Sequence, residues 1–132
     1  MSLGVLLGIQ ARLSGAEGTD SRVERGRYLV EHVALCIECH TPRTAEGEIL
    51  RERLLKGAPV SVEPPPFAKE NWAAQAPNIA GLTGYSDAEA TRLLTQGLTR
   101  HGRAPNPPMP RYHMAAGDAE AIVAYLRSLR SP

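Results

Sequence analysis

The chain's only two cysteines stand in one pentapeptide, Cys36-Ile37-Glu38-Cys39-His40. Two thiols with two residues between them and a histidine directly after form the C-x-x-C-H pattern of covalent haem attachment. The spacing lets both sulfurs reach vinyl groups of one macrocycle, and the adjacent imidazole then lies beneath the ring, where a nitrogen can bind iron. Two other chemistries use paired cysteines. A redox-active C-x-x-C belongs with a βαβ pattern, which this sequence lacks. Structural zinc needs four ligands, and the spacing of His101 and His113 does not match a Cys-Cys-His-His set.

The motif also bears on how the chain fills a core. There are 132 residues, with one Trp, one Phe and four Tyr among them. That length accommodates one small domain, and small domains are marginal in the surface they bury. A buried macrocycle supplies the apolar mass that the side chains lack. Formal net charge is +1, and two haem propionates take it to about −1. Arg and Lys are scattered, with no basic run and no basic amphipathic helix, so no nucleic-acid partner is expected.

Three segments carry helical periodicity. The first runs from about Ser21 to Leu35, with Val23, Tyr28, Leu29 and Val33 as apolar positions and Gly26 in its interior. An interior glycine costs about 1 kcal/mol relative to alanine, tolerable where another helix must come close. The second has clear ends: Ser86 and Glu89 have capping-box spacing, Asp87 adds negative charge to the first turn, and Gly97 follows the last periodic residue. The third runs from about Ala116 to Ser128, with Ile122, Val123, Leu126 and Leu129 in register, and starts weakly because Ala115 stands where a capping side chain belongs. Residues 57–77 hold five prolines and 102–110 another four. No stretch alternates with period two, so no sheet is expected, and the fold class is all-α. Long irregular loops are unusual in a compact domain. They make sense if they wrap something that is not protein.

The first 20 residues are set apart from the haem domain, 21–132. Leu3 to Ile9 is apolar and Ser14-Gly15-Ala16 resembles a cleavage site, but Met1-Ser2 lacks the positive charge that opens a secretory signal. The run is too short to span a bilayer. It reads as a degenerate signal, as the stump of a longer leader or membrane tether, or as an added Met-Ser-Leu scar, with Gly15 to Ser21 a flexible link.

A six-coordinate haem iron needs a second axial ligand. Met109 lies in Pro107-Pro108-Met109-Pro110, where prolines on both sides hold the thioether in place. Met114 competes but begins the register of the last helix, where core filling is the usual role of methionine. His113 and His101 are further alternatives.

These residues make the chain resemble the class I c-type cytochromes, with small bacterial cytochromes and cytochrome subunits of membrane dehydrogenases the most similar. The features keep the family order: a helix ending in the haem motif, Ala76-Pro77-Asn78-Ile79, the Pro-Met109-Pro loop, and Ala124-Tyr125-Leu126 in the last helix. The resemblance implies a helical fold wrapped round one covalent haem c, with first and last helices crossing at Gly26 and Tyr125. It gives the Pro77 carbonyl the Nδ1–H of His40, places Ile79 on the haem face, and pairs Arg43 with a propionate. Trp72 lies in a stretch, His40 to Pro77, longer than in the smallest family members, where it either covers a propionate edge or packs in the core. The implied activity is single-electron transfer by a non-catalytic monomer, with dehydrogenases, oxidases or other cytochromes as partners, in a bacterial periplasm. The rival reading is a haem enzyme or gas sensor with an open sixth position, for which His101, Arg103 and Arg111 would supply polar distal groups.

Overall fold

The computed structural model describes residues 7–68 and 70–130. The first helix, α1, spans Leu7–Tyr28 and runs directly into a π-helical turn, Leu29–Val33. Then come a single turn, α2 (Cys36–His40), a 3-10 turn (Arg51–Arg53), two short strands, β1 (Ala58–Pro59) and β2 (Gln75–Ala76), and a second 3-10 turn (Ala80–Leu82). Helices α3 (Asp87–Gln96) and α4 (Ala116–Ser128) complete the order. Helical structure therefore begins ahead of Ser21 and takes in the stretch read as a flexible link. Residues 3–6 of the apolar run lie outside the described residues. Among those described, no helix is long and apolar enough to cross a membrane.

The core forms where α1 meets α4. A Cβ built on Gly26 would lie 1.9 Å from the Ala121 carbonyl oxygen and 2.8 Å from Tyr125 Cβ, so only hydrogen fits between the two backbones. Helix α4 buries Ala119, Ala121, Ile122, Val123, Tyr125 and Leu126, a broad face because α1 and α3 both pack on it. Ala90 and Leu94 are the buried residues of α3, and Leu29 and Val30 come from the turn after α1.

That turn corrects the expected face of the first helix. Ala34 N–H donates to Leu29 O at 2.7 Å, an i→i−5 bond that takes up one extra residue and shifts the register. Leu29, Val30 and Glu31 all turn inward as a result, while Tyr28 and Val33 are exposed and Val23 is only partly buried. Glu31 is thus a buried carboxylate with 8% of its side chain exposed. It accepts from Tyr125 Oη at 2.9 Å and from Arg51 Nη1 at 3.1 Å. Burial pulls its pKa upward, but the Arg51 and Tyr125 bonds and the charges of Arg51 and Arg27 outweigh it and leave the value below normal.

Helix α3 has both reciprocal cap bonds: Glu89 N–H to Ser86 Oγ at 3.1 Å, and Ser86 N–H to Glu89 Oε2 at 2.9 Å. Gly97 closes it with φ 64°. Helix α4 has no side-chain cap at Ala115. Its first-turn Asp118 instead accepts from Arg25 of α1 at 3.1 and 3.2 Å, and Arg127 fixes its far end. That guanidinium donates to the carbonyls of Gly81, Leu82 and Tyr85 and to Asp87, at 2.6 to 3.0 Å.

The stretch from Thr41 to Ile79 folds back over the motif. Leu55 is fully buried beneath it. Leu55 N–H donates to the buried Thr41 Oγ1, Leu55 O accepts from Ile79 and Ala80, and Gly57 N–H donates to His40 O. The antiparallel pairing of Ala58 with Ala76 and of Pro59 with Gln75 corrects the expectation of no sheet. Two residues per strand are too few for period-two alternation to register, and the fold remains all-α in class.

Replacing Gly26 by alanine adds about 1 kcal/mol of helix propensity but drives a methyl group into the Ala121 backbone. The clash dominates, and a net loss of about 1–3 kcal/mol is expected. Thermal unfolding reads it as a lowered Tm, and an unchanged or raised Tm contradicts the close crossing. The Glu31 group gives a second test. Its folded pKa is depressed, so its stabilisation is complete above the ordinary value of 4.5 and is lost as pH falls below that towards the folded value. Glu31→Gln should be less stable than the parent at pH 7, and urea titrations should show the gap narrowing below pH 4.5. A gap independent of pH contradicts the charge assignment.

Candidate haem-binding site

Leu35 sets the site up. Its left-handed backbone, φ 54° and ψ 37°, ends the π turn and starts α2 in a new direction. For a branched residue this conformation is uncommon and strained. On the single turn that follows, positions i, i+3 and i+4 share a face, which places Cys36, Cys39 and His40 together. Ile37 faces the other way and is buried as the anchor. Both cysteines are half-buried and free, and burial pushes the Cys36 thiol up to about 11.

His40 is buried, and its Nδ1 lies 2.8 Å from Pro77 O. A carbonyl oxygen can only accept, so Nδ1 carries the proton and Nε2 keeps a free lone pair. Burial lowers the His40 pKa, against the opposing pull of the Pro77 carbonyl. The ring is therefore neutral at pH 7, the form that binds a metal.

Two unpaired thiols and a neutral imidazole with one committed nitrogen fit haem c. The surface beside them fits as well: Val33 and Leu35, next to Cys36, are 53% and 49% exposed. Zinc fits poorly. Among the described residues no three His, Cys, Asp or Glu side chains converge on a common point, and His101 and His113 are exposed.

The other expected residues fall in different surroundings. Met109 is half-buried on its loop, with its N–H donating to Asn106 O at 3.3 Å. Met114 packs against the core, and its N–H donates to Leu94 O at 2.9 Å. Ile79 also packs against the core. Arg43 is held by Glu38 and by Gly47 O, the latter at 2.6 Å. Arg103 and Arg111 are exposed like the two histidines near them. Trp72 Nε1 donates to Val62 O at 2.8 Å and lies outside the core cluster. Two contributors carried no signal in the sequence. Leu35 gave no sign of a left-handed turn, and Tyr112 gave none of its contact with Ala34 O.

Comparison with known proteins identifies the family. The family model described as Cytochrome c matches residues 23–130. The chain is 35% identical over 115 residues to the fructose dehydrogenase cytochrome subunit of Gluconobacter japonicus, covering 80% of this chain and 21% of that protein. It is 56% identical over 120 residues to a diheme cytochrome c-type protein of Cereibacter sphaeroides, covering 79% and 34%. A third relative is the cytochrome c subunit of a quinone alcohol dehydrogenase of Gluconacetobacter polyoxogenes, 30% identical over 132 residues, covering 86% and 26%. The chain thus spans between about a fifth and a third of the length of these relatives. With the haem motif on its own turn, the His40 ring bonded to Pro77 and the family match over nearly all the described residues, this chain belongs to the cytochrome c family.

Proposed function

We propose that the chain carries single electrons between redox proteins through one haem c, joined to Cys36 and Cys39 and ligated by His40 and Met109. The observation that carries this reading is the 2.8 Å bond from His40 Nδ1 to Pro77 O beside two free thiols. It leaves one ring nitrogen to act as ligand and fixes the orientation of the ring. When bound, haem c supplies a one-electron Fe(II)/Fe(III) couple.

The chain's own residues set the conditions for that couple. The proton on His40 Nδ1 is shared with the Pro77 carbonyl, which raises the basicity of Nε2. Met109 offers a neutral, soft sulfur that favours the reduced ion. Support for Met109 comes from the division of labour between the methionines: Met114 is packed on the core, whereas Met109 is not part of it. Pro107, Pro108 and Pro110 stiffen the Met109 loop against exchange with water. Ile79 would add apolar surface to a bound haem, and Arg43, now held by Glu38, would be the residue to pair with a propionate. Were His40 and Met109 both to hold the iron, no position would be left for a substrate, and the exposure of His101, Arg103 and Arg111 supports a closed site over a polar distal pocket.

The names of the relatives support a dehydrogenase as a redox partner, with oxidases or other cytochromes as the remaining partners. The chain works outside the cytoplasm, in a bacterial periplasm, as a monomer with the segment before residue 21 as leader or tether. Transfer needs only a brief complex of modest area.

The purified holoprotein is expected to show sharp reduced c-type bands and a weak far-red ferric band from sulfur ligation, with one haem per chain. Met109→Ala should abolish the far-red band, lower the potential and open the iron to carbon monoxide, while Met114→Ala keeps the band. A high-spin ferric spectrum at neutral pH, or native protein that takes up carbon monoxide as readily as Met109→Ala, overturns the carrier reading in favour of a haem enzyme or gas sensor.

A further inference from the structure

We propose that Tyr112 is a latch: its hydroxyl, bonded to the Ala34 carbonyl, holds the Met109 loop shut against the turn that carries the haem motif. The proposal rests on the reading of Met109 as axial ligand and adds to it a residue that governs how often that ligand lets go.

The bond is 2.8 Å long and joins residues 78 positions apart. Tyr112 stands three residues after Met109, and Ala34 two residues before Cys36, so it connects the two sides of the site independently of iron. The acceptor is available for a structural reason. Helix ends leave carbonyls without intrahelical partners, and the left-handed turn at Leu35 cuts the helix just after Ala34. The phenol fills that need from across the site. Burial pushes its own pKa up, so the hydroxyl keeps the proton it donates.

Few other attachments hold the loop. Pro105, Pro107, Pro108 and Pro110 have no N–H to donate. At one end Pro107 O accepts from Ala73 N–H at 2.7 Å, and at the other Met114 N–H donates to Leu94 O at 2.9 Å. The Met109 N–H bond to Asn106 O is internal to the loop. Among the described residues, the Tyr112 hydroxyl makes the only hydrogen bond between residues 104–114 and the helix that leads into the motif. Tyr112 touches no reacting atom in this scheme. It is a positioning residue acting through Met109.

The test uses ferric holoprotein and imidazole as the incoming ligand. At saturating imidazole the binding rate levels off at the rate at which methionine leaves. Tyr112→Phe keeps the ring packing and deletes one hydroxyl, and the plateau rate should rise about two- to tenfold, as for loss of one net hydrogen bond. Amide exchange at Arg111, Tyr112 and His113 should quicken in parallel. Tyr125→Phe is the control, because it deletes a hydroxyl bonded to Glu31 on the helix crossing. It should lower Tm and leave the imidazole plateau unchanged. An unchanged plateau in Tyr112→Phe, with the far-red band lost in Met109→Ala, overturns the latch and leaves the ligand assignment standing. Equal acceleration in both tyrosine variants reduces the effect to general loosening and also overturns it. A far-red band that survives Met109→Ala removes the ligand on which the latch acts, and both readings fall.

Discussion

At Gly26 the backbone of α1 rests directly on the backbone of α4, and the Cys36–His40 turn and the Met109 loop both hang from the helices that meet there. Ten positions further along, the first helix delivers Cys36. On the other side, α4 begins only seven residues after Met109. The distance between the crossing helices therefore limits where the cysteines and the methionine loop can stand relative to each other. Two polar contacts flank the crossing. The Arg25–Asp118 pair is exposed, and such pairs contribute about 0–1 kcal/mol. The Glu31–Tyr125–Arg51 cluster is buried on the carboxylate side, and although its Arg51 is largely exposed, leaving the buried carboxylate without the Tyr125 hydroxyl costs about 1–3 kcal/mol. The buried cluster is thus the one that resists slippage of α1 along α4.

Features that depend on neighbours in sequence were legible before any fold was known. The haem motif, the Ser86–Glu89 cap, the Gly97 stop and the weak start at Ala115 are all local, and the structure reproduces each of these helix ends. The close approach at Gly26 was legible because an unfavourable residue inside a helix calls for a reason. Other features arise only when distant segments meet. The π turn at Leu29–Val33 changes which residues face inward, so Val30 and Glu31 replace Tyr28 and Val33 in the interior. A 3.6-residue period cannot anticipate an inserted residue. Leu35 in a left-handed conformation is equally invisible, since nothing in its chemistry favours that turn.

Arginine shows the same division. Arg127 sits within a segment recognisable from the sequence, yet its role is visible only in three dimensions. Its guanidinium gathers the carbonyls of Gly81, Leu82 and Tyr85 around the 3-10 turn at Ala80–Leu82 and joins them to the first residue of α3. A planar fork with five donors is suited to this, and a lysine ammonium is not. Arg43, by contrast, has its charge met by Glu38, a residue inside the haem motif itself.

The excursion between Val60 and Ala74 enters and leaves the domain through one narrow neck, closed by β1 and β2 and by Val60 N–H on Ala74 O at 3.0 Å. At its tip, Pro64-Pro65-Pro66-Phe67, Pro66 and Phe67 stand exposed, the Phe67 ring almost wholly so. The link to the methionine loop, Ala73 N–H to Pro107 O, is backbone to backbone at the base and asks nothing of side chains further out. For a loop with pinned ends, each doubling of length costs only about 0.6 kcal/mol. The tip can accordingly be lengthened, shortened or rewritten at little energetic penalty, while Pro77 keeps its hold on His40. It is the natural place to graft a foreign peptide, and the place where divergence can accumulate without disturbing the proximal imidazole.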